Sequence, residues 1–203
     1  MSDPPAGFRL PGYADCLAAF IDRLAPARPH VVGVGFGANV AMELYRRHPT
    51  LPQSLVLSTA FPGWADSLPA AVVARRLQWC RRETGLLSLS EGFERGWIFG
   101  VRMEAATANV DEGFVASMPD APPAGFSVLA RSLAEASFAD FALIDVPMLA
   151  LYAVHDERPR RIRADAHRAP AGTIAMLPGI GNPASGAPDR FNTEVLDFIR
   201  AHM

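Results

Sequence analysis

The stretch His30–Ala60, HVVGVGFGANVAMELYRRHPTLPQSLVLSTA, decides the fold of this chain. It opens with a short Val-rich run, turns at the glycine-rich corner Gly33–Gly37, and continues as an amphipathic run that ends at Pro49. A second apolar run, Leu55–Leu57, follows. Apolar runs joined by a glycine corner and a helical pattern predict strand, sharp turn, helix and strand. We therefore expect a βαβ crossover here.

On the N-terminal side of this stretch, the sequence predicts an irregular lead-in followed by one helix. The lead-in is Met1–Pro11, which is rich in proline. Apolar residues then recur at helical spacing as far as Pro26 and Pro29, where the helix must stop before the strand. The members of this apolar stripe are Tyr13, Leu17, Phe20, Ile21 and Leu24.

On the C-terminal side, helical fragments broken by Gly and Pro extend from Phe61 to about Phe141. The clearest helices within this block are 69–82 and 126–137. Two further strands are predicted where apolar residues run almost continuously, as in strands that are covered on both faces. These are Val146–Tyr152 and Thr173–Leu177, and a closing helix is expected over Asp189–His202.

The composition sets the class of protein. The chain has 203 residues, half of them hydrophobic, and a formal net charge of −2, so it can bury one sizeable core and has no bias toward a polyanionic partner. Neither a membrane span nor a targeting leader is evident. Two cysteines, Cys16 and Cys80, cannot form a disulfide framework. We expect a cytoplasmic protein that binds neither nucleic acid nor membrane.

Three short motifs follow one another along the chain. The first is Gly33-Val34-Gly35-Phe36-Gly37. The second opens at Val146-Pro147 and ends in Tyr152-Ala153-Val154-His155-Asp156. The third is Leu177-Pro178-Gly179-Ile180-Gly181-Asn182. In order and spacing they are similar to the G-x-S-x-G, V-P-x-L-x-L-x-G-x-x-D and L-P-x-x-G-H motifs of α/β-hydrolases, of the epoxide hydrolase and haloperoxidase type with a cap.

The resemblance implies an architecture. It would be a single α/β-hydrolase-like domain over residues 1–203, with a parallel sheet that lacks the first strands of the family. A helical cap would be inserted at residues 62–144. This block contains Trp64, Trp79 and Trp97, which would either line a pocket under the cap or pack within the cap itself.

The resemblance also implies a role for individual residues. Gly35 stands where the family has its nucleophilic serine, and Asn182 stands where it has its base histidine. Asp156 would occupy the acid position. The backbone N–H of Phe36, directly after the nucleophile position, would be one oxyanion-hole donor, whereas the upstream loop that supplies the second donor has no counterpart.

These replacements remove the chemistry of the family. Gly35 has no side chain with which to form a covalent intermediate, and Asn182 has no titratable nitrogen to accept a proton. The sequence therefore predicts a chain without hydrolase activity that serves as a ligand-binding or interaction module, with a small apolar ligand under the cap. The alternative is a residual or repurposed esterase-like hydrolase, lyase or cyclase that uses Asp156 and the pocket.

Other candidate sites are weaker. His155, Glu157 and His167 have metal-binding side chains, but their spacing fits no common metal site and favours a polar loop. Arginines recur from Arg158 to Arg168; they would meet a phosphate or an acidic partner, or, as we favour, form a solvated helix face. We expect neither a metal nor a cofactor.

The strand that begins at His30 poses a further problem. Without an upstream neighbour it would have an unpaired apolar edge, which proteins avoid because such an edge pairs with other chains. The lead-in, a second copy of the chain, or a separate polypeptide would have to cover it. We favour self-association as a homodimer, because Met1–Pro11 is too rich in proline to form a central strand.

Overall fold

The computed structural model describes residues 7–24, 27–61, 63–64, 69–82, 123–136, 141–155, 166–179 and 182–203. The chain divides into two compact units. One unit comprises Pro11–Pro62 and Phe138–Met203, and the other comprises Met1–Leu10 and Gly63–Ser137. Among the described helices, none combines the length and the apolar character needed to cross a bilayer.

The larger unit is built on a parallel sheet of four strands in the order β1-β2-β3-β4. The strands are β1 (His30–Val34), β2 (Ser54–Ser58), β3 (Met148–Ala153) and β4 (Gly172–Leu177). All three pairings are parallel, with His30 opposite Ser54, Leu55 opposite Met148, and Met148 opposite Gly172. The predicted βαβ crossover and both later strands are confirmed.

Helices pack on the two faces of this sheet, as they must where parallel strands are joined by crossovers. The helices described in this unit are α1 (Leu10–Leu24), α2 (Phe36–Arg47), α5 (Pro183–Gly186) and α6 (Pro188–Ala201), and a 3₁₀ turn lies at Phe141–Leu143. Every residue of β2 and β3 is buried. The continuous apolar runs of these strands are thus explained by cover on both faces.

Each face of the sheet has its own apolar core. On the α2 side, Met42 and Tyr45 pack with Leu55, Leu57 and Met148. A second cluster lies on the α6 side. Its strand residues alternate along the sequence with those of the first cluster, since successive side chains of a strand point to opposite faces. Its members include Val56, Leu149, Leu151, Leu177, Phe191 and Val195.

The smaller unit contains a helix pair, α3 (Ala70–Arg82) and α4 (Pro123–Glu135), whose helices contact one another. Trp64 is 2% exposed and Leu133 is fully buried. Gly63 has a positive φ of 48°, and a Cβ there would overlap the carbonyl of Ala136. Both helices fall within the block 62–144, whose assignment as a cap stays a prediction; Trp97 lies outside the described residues.

Two of the helices begin earlier than the sequence analysis placed them. Helix α1 starts at Leu10 instead of near Tyr13, and α4 starts at Pro123 instead of Phe126. In both cases a proline occupies the first turn, where its missing N–H costs nothing because no intrahelical acceptor exists there. The predicted stripe of α1 is only partly its buried face, because Ile21 is buried together with Ala14 and Ala18, whereas Phe20 is 60% exposed and Leu24 is 65% exposed.

Candidate functional site

The corner between β1 and α2 holds the candidate site, and Gly33 is the residue that lets the corner close. A Cβ on Gly33 would lie 2.6 Å from the Cα of Ala38 and would also overlap the carbonyl of Gly37. Real Cβ atoms do not approach backbone atoms this closely, so no larger residue fits here without moving the helix. Gly33 thus fixes how tightly α2 folds back on the strand.

Gly35 carries the sharp turn itself. Its backbone has φ 57° and ψ −118°, a conformation that glycine adopts readily and that L-residues with a side chain rarely adopt. Its N–H donates to the carbonyl of Ser58 on β2 at 3.0 Å. Gly35 also precedes the first residue of α2 and gives the helix no side-chain cap.

Among the residues that the structure describes, the volume next to Gly35 is open. A Cβ built on this residue would have a single described neighbour within 4 Å, the hydroxyl of Thr59, at 4.0 Å. The turn therefore keeps the geometry that lifts a residue above the sheet, and it presents no side chain there. Gly37, two residues later, also faces open space.

Phe36 is the first residue of α2. The N–H groups of the first helical turn have no acceptor within the helix, and the helix dipole makes them slightly positive. The Phe36 N–H is therefore suited to bind an oxygen of a ligand. Its ring packs edge-on against Tyr13 of α1, with the centroids 5.4 Å apart at 85°, and this contact orients the residue.

Thr59 directly follows β2, and its hydroxyl lies beside Gly35. It has φ 54°, and a β-branched residue at positive φ is a genuine outlier that costs about 1–3 kcal/mol. Its N–H donates to the carbonyl of Leu151 at 2.9 Å, and its hydroxyl donates to the carbonyl of Ser58 at 2.7 Å. The lone pairs of the hydroxyl stay available as acceptors beside Gly35.

Asn182 has a structural task in the described part of the chain. Its side-chain Oδ1 accepts the N–H of Ala184 at 3.0 Å, which makes it the N-cap of the short helix α5. Pro183 follows at the first helical position. The sequence held a signal for this role, since Asn at the N-cap followed by Pro is a common helix start.

The remaining predicted site residues are not brought together in the described structure. Asp156 lies outside the described residues, as do Glu157 and the arginines from 158 to 163, so the acid role of Asp156 stays a prediction. His155 and His167 are exposed. Within the described ranges, no group of three or more His, Cys, Asp or Glu residues is arranged to hold a metal ion.

Two buried polar atoms near the ends of β1 and β2 have no hydrogen-bond partner in the described structure. They are Oδ1 of Asn39 in the first turns of α2 and Oγ of Ser58. The amide nitrogen of Asn39 donates to the carbonyl of Phe61 at 3.1 Å, which fixes the orientation of the amide. Sequence reasoning missed Asn39, because a polar residue in a helix is usually solvent-facing.

No protein-family model matches the sequence, and no curated protein is similar to it at a significant level. Solved structures are similar in fold. MenH from S. aureus has a TM-score of 0.81 at 17% identity, over 99% of this chain and 79% of that chain. A thermophilic esterase from Thermogutta terrifontis has 0.77 at 19%, over 98% and 75%. MGS-M2, an α/β-hydrolase enzyme from a Medee basin deep-sea metagenome library, has 0.71 at 14%, over 98% and 74%.

Proposed function

This chain has the α/β-hydrolase fold, and from that premise we propose that it is a binding or interaction module without hydrolase activity. The observation that supports the proposal is Gly35. Its backbone keeps the sharp turn with φ 57°, but no nucleophilic side chain stands on it. In the part of the chain that the structure describes, the volume above the turn is thereby open to a ligand.

Two losses argue against hydrolysis by the mechanism of this fold. No acyl-enzyme bond can form at Gly35, and Asn182 cannot act as a base. The Asn182 Oδ1 is also engaged in capping α5, at 3.0 Å from the N–H of Ala184. Loss of one triad member typically lowers turnover by about 10⁴- to 10⁶-fold, and a second loss adds little.

The open volume beside Gly35 has the character of a small binding subsite. The Phe36 N–H is a donor, and the Thr59 hydroxyl offers lone pairs because its proton is given to the carbonyl of Ser58. A group that both accepts and donates a hydrogen bond, such as a carboxamide or an alcohol, satisfies both partners. We propose a small, largely apolar ligand with such a polar group placed above Gly35.

Thermal unfolding with octanamide as the probe tests this proposal. At about ten times the dissociation constant, binding raises the melting temperature by roughly 3–6 °C. Gly35→Ala places a methyl group in the open volume and should weaken octanamide binding by about tenfold or more. Gly37→Ala is the matched control, because a Cβ there faces open space and should leave the affinity unchanged.

An activity measurement completes the test. Wild-type protein should hydrolyse short p-nitrophenyl esters no faster than the buffer. Turnover above background that disappears in Asp156→Ala would overturn the proposal in favour of a repurposed enzyme. Equal octanamide affinity in the Gly35→Ala and Gly37→Ala variants would overturn the placement of the ligand above Gly35.

The proposal has a second part, which concerns partners. We propose that the chain interacts through the outer edge of β1 with another polypeptide, a second copy being the form favoured by the sequence. A cytoplasmic location belongs to the same proposal. Its support is the presence of only two cysteines in 203 residues, a number that cannot make a disulfide framework for an oxidising compartment.

A further inference from the structure

Thr59 is held in an unfavourable backbone conformation. Among the residues that the structure describes, it is the one residue other than glycine with a positive φ, at 54°. A β-branched side chain disfavours this region, which glycine occupies at little cost. Strain of this kind persists only where the surrounding structure enforces it, and it concentrates at functional positions. The strain at Thr59 therefore points to a use for its side chain.

The segment that follows β2 is fixed by hydrogen bonds from two neighbouring elements. The Tyr152 hydroxyl of β3 donates to the carbonyl of Ala60 at 3.3 Å. From α2, the side-chain amide of Asn39 donates to the carbonyl of Phe61 at 3.1 Å. Asn39, Ala60 and Tyr152 are all buried. This buried frame holds the backbone next to Thr59 and so determines where its hydroxyl lies.

The Thr59 hydroxyl has a fixed polarity. It donates its proton to the carbonyl of Ser58 at 2.7 Å, and within the described ranges no group donates to its Oγ1 in turn. A hydroxyl oxygen has two lone pairs, so Oγ1 is an acceptor toward its surroundings. The open volume beside Gly35 adjoins it, since a Cβ on Gly35 would lie 4.0 Å from Oγ1.

Of the two neighbouring hydroxyls at the end of β2, that of Thr59 is the one within reach of a ligand. Ser58 is fully buried, whereas Thr59 is partly exposed. Glycine at position 59 would relieve the strain but would remove the hydroxyl. A placed acceptor beside the open volume therefore accounts for a threonine in this conformation.

We propose that Thr59 determines which ligands bind beside Gly35, because its Oγ1 requires a hydrogen-bond donor on the ligand. This inference rests on the ligand-binding role proposed above and narrows the class of ligand to primary amides and alcohols. Esters and ketones carry only acceptors, so they leave the Oγ1 lone pairs without a partner or must draw the hydroxyl proton away from the Ser58 carbonyl. A site built to bind an N–H or O–H group discriminates against an analogue that lacks it.

Two ligands of nearly the same shape test the inference with the full chain. Octanamide and heptyl methyl ketone differ in that the amino group of the amide is replaced by a methyl group, which cannot donate. Isothermal titration calorimetry gives the ratio of their affinities. Thr59→Val replaces the hydroxyl with a methyl group and should lower the ratio of amide to ketone affinity by about tenfold or more. Thr59→Ser keeps the hydroxyl and should keep the wild-type ratio.

Thr193→Val is the matched control. Thr193 is exposed on helix α6, and its hydroxyl donates to the carbonyl of Asp189 at 2.9 Å. The variant thus loses the same kind of hydrogen bond as Thr59→Val, and the affinity ratio should not change. Ketone binding by Thr59→Val shows in the same experiment that this variant is folded and that its subsite is intact.

The outcomes distinguish this inference from the proposal on which it rests. If octanamide does not bind the wild type, both are wrong. If octanamide binds and Gly35→Ala weakens it, but Thr59→Val has the wild-type ratio, the ligand lies above Gly35 and the role of Thr59 is overturned. Equal loss of both ligands in Thr59→Val, or an equal fall of the ratio in Thr193→Val, also overturns that role.

Discussion

Three glycines within five residues have three different surroundings, and this difference shows what shapes the corner. Gly33 faces the backbone of Gly37 and Ala38, Gly35 has a positive φ of 57°, and Gly37 faces open space. Glycine is required at position 33 because a Cβ would not fit, and at position 35 because of the backbone conformation. Neither reason applies to Gly37 in the described structure.

Alanine substitutions separate these cases. Gly33→Ala should lower the free energy of unfolding by about 2–3 kcal/mol or more, because its Cβ meets backbone atoms that cannot move independently. Gly37→Ala should change it little or raise it by up to about 1 kcal/mol, since alanine favours the helix and restricts the unfolded chain. Urea unfolding measures both. Equal effects at the two positions would contradict the packing described for Gly33.

The roles of single residues were predictable where a motif fixes them and not where tertiary contacts do. The glycine at position 35 and the position of Phe36 after it followed from the motif. The positive φ of Thr59 did not, because threonine ordinarily avoids that region. Its hydrogen bonds to Leu151 and Ser58 depend on the packing of β2 against β3, which no local pattern encodes.

At the scale of elements, an ion cluster joins α1 to α2. The carboxylate of Asp15 accepts hydrogen bonds from Arg47 at 2.8 and 2.7 Å, and lies 3.0 Å from Nε2 of His48. Hydrogen bonding from Arg47, and then from His48, lowers the pKa of Asp15 to about 2. Because the folded state favours the charged carboxylate, the cluster stabilises the protein only while Asp15 is ionised in it.

The contribution of Asp15 to the stability of the protein should be lost at low pH. The ordinary pKa of an aspartate is about 3.9, so the stabilisation by Asp15 should be complete above pH 5 and should fall as the pH drops from about 4 toward 2. By urea unfolding, Asp15→Asn should be less stable than wild type at pH 6, and most of that difference should be lost by pH 2. Asp22→Asn, an exposed site on the same helix, is the control. A difference that persists undiminished at pH 2 would contradict this account.

Strands were easier to predict than helix ends, for a physical reason. Strands β2 and β3 are buried along their whole length, so every residue contributes to the apolar signal. The first turns of α1 and α4 contribute no comparable apolar signal, and each contains a proline, a residue that usually indicates the end of a helix. A proline at the first helical position is compatible with a helix, and weighing that alternative would have placed the start of α4 correctly and the start of α1 within one residue.

At the scale of the whole sheet, burial decreases from the centre to the first strand. Leu57 and Leu151 are fully buried, whereas Val32 of β1 is 43% exposed. The sequence predicted the parallel sheet and its open edge. The occupant that it favoured for that edge, a second copy of this chain, stays a prediction, because the backbone groups of an edge strand accept any strand of suitable length.

Hydrogen exchange followed by mass spectrometry or NMR tests the interaction proposed through the outer edge of β1. Amides of β2 and β3 should exchange only through global unfolding, at any protein concentration. The Gly35 N–H is directed to the Ser58 carbonyl and backbone groups alternate in direction along a strand, so the Val32 amide faces the outer edge. It should exchange rapidly at low concentration and become protected at high concentration if a second copy binds there. Val31, whose N–H is directed toward β2, serves as the internal reference on the same strand. Protection of Val32 that is independent of concentration would mean that the edge is covered within one chain.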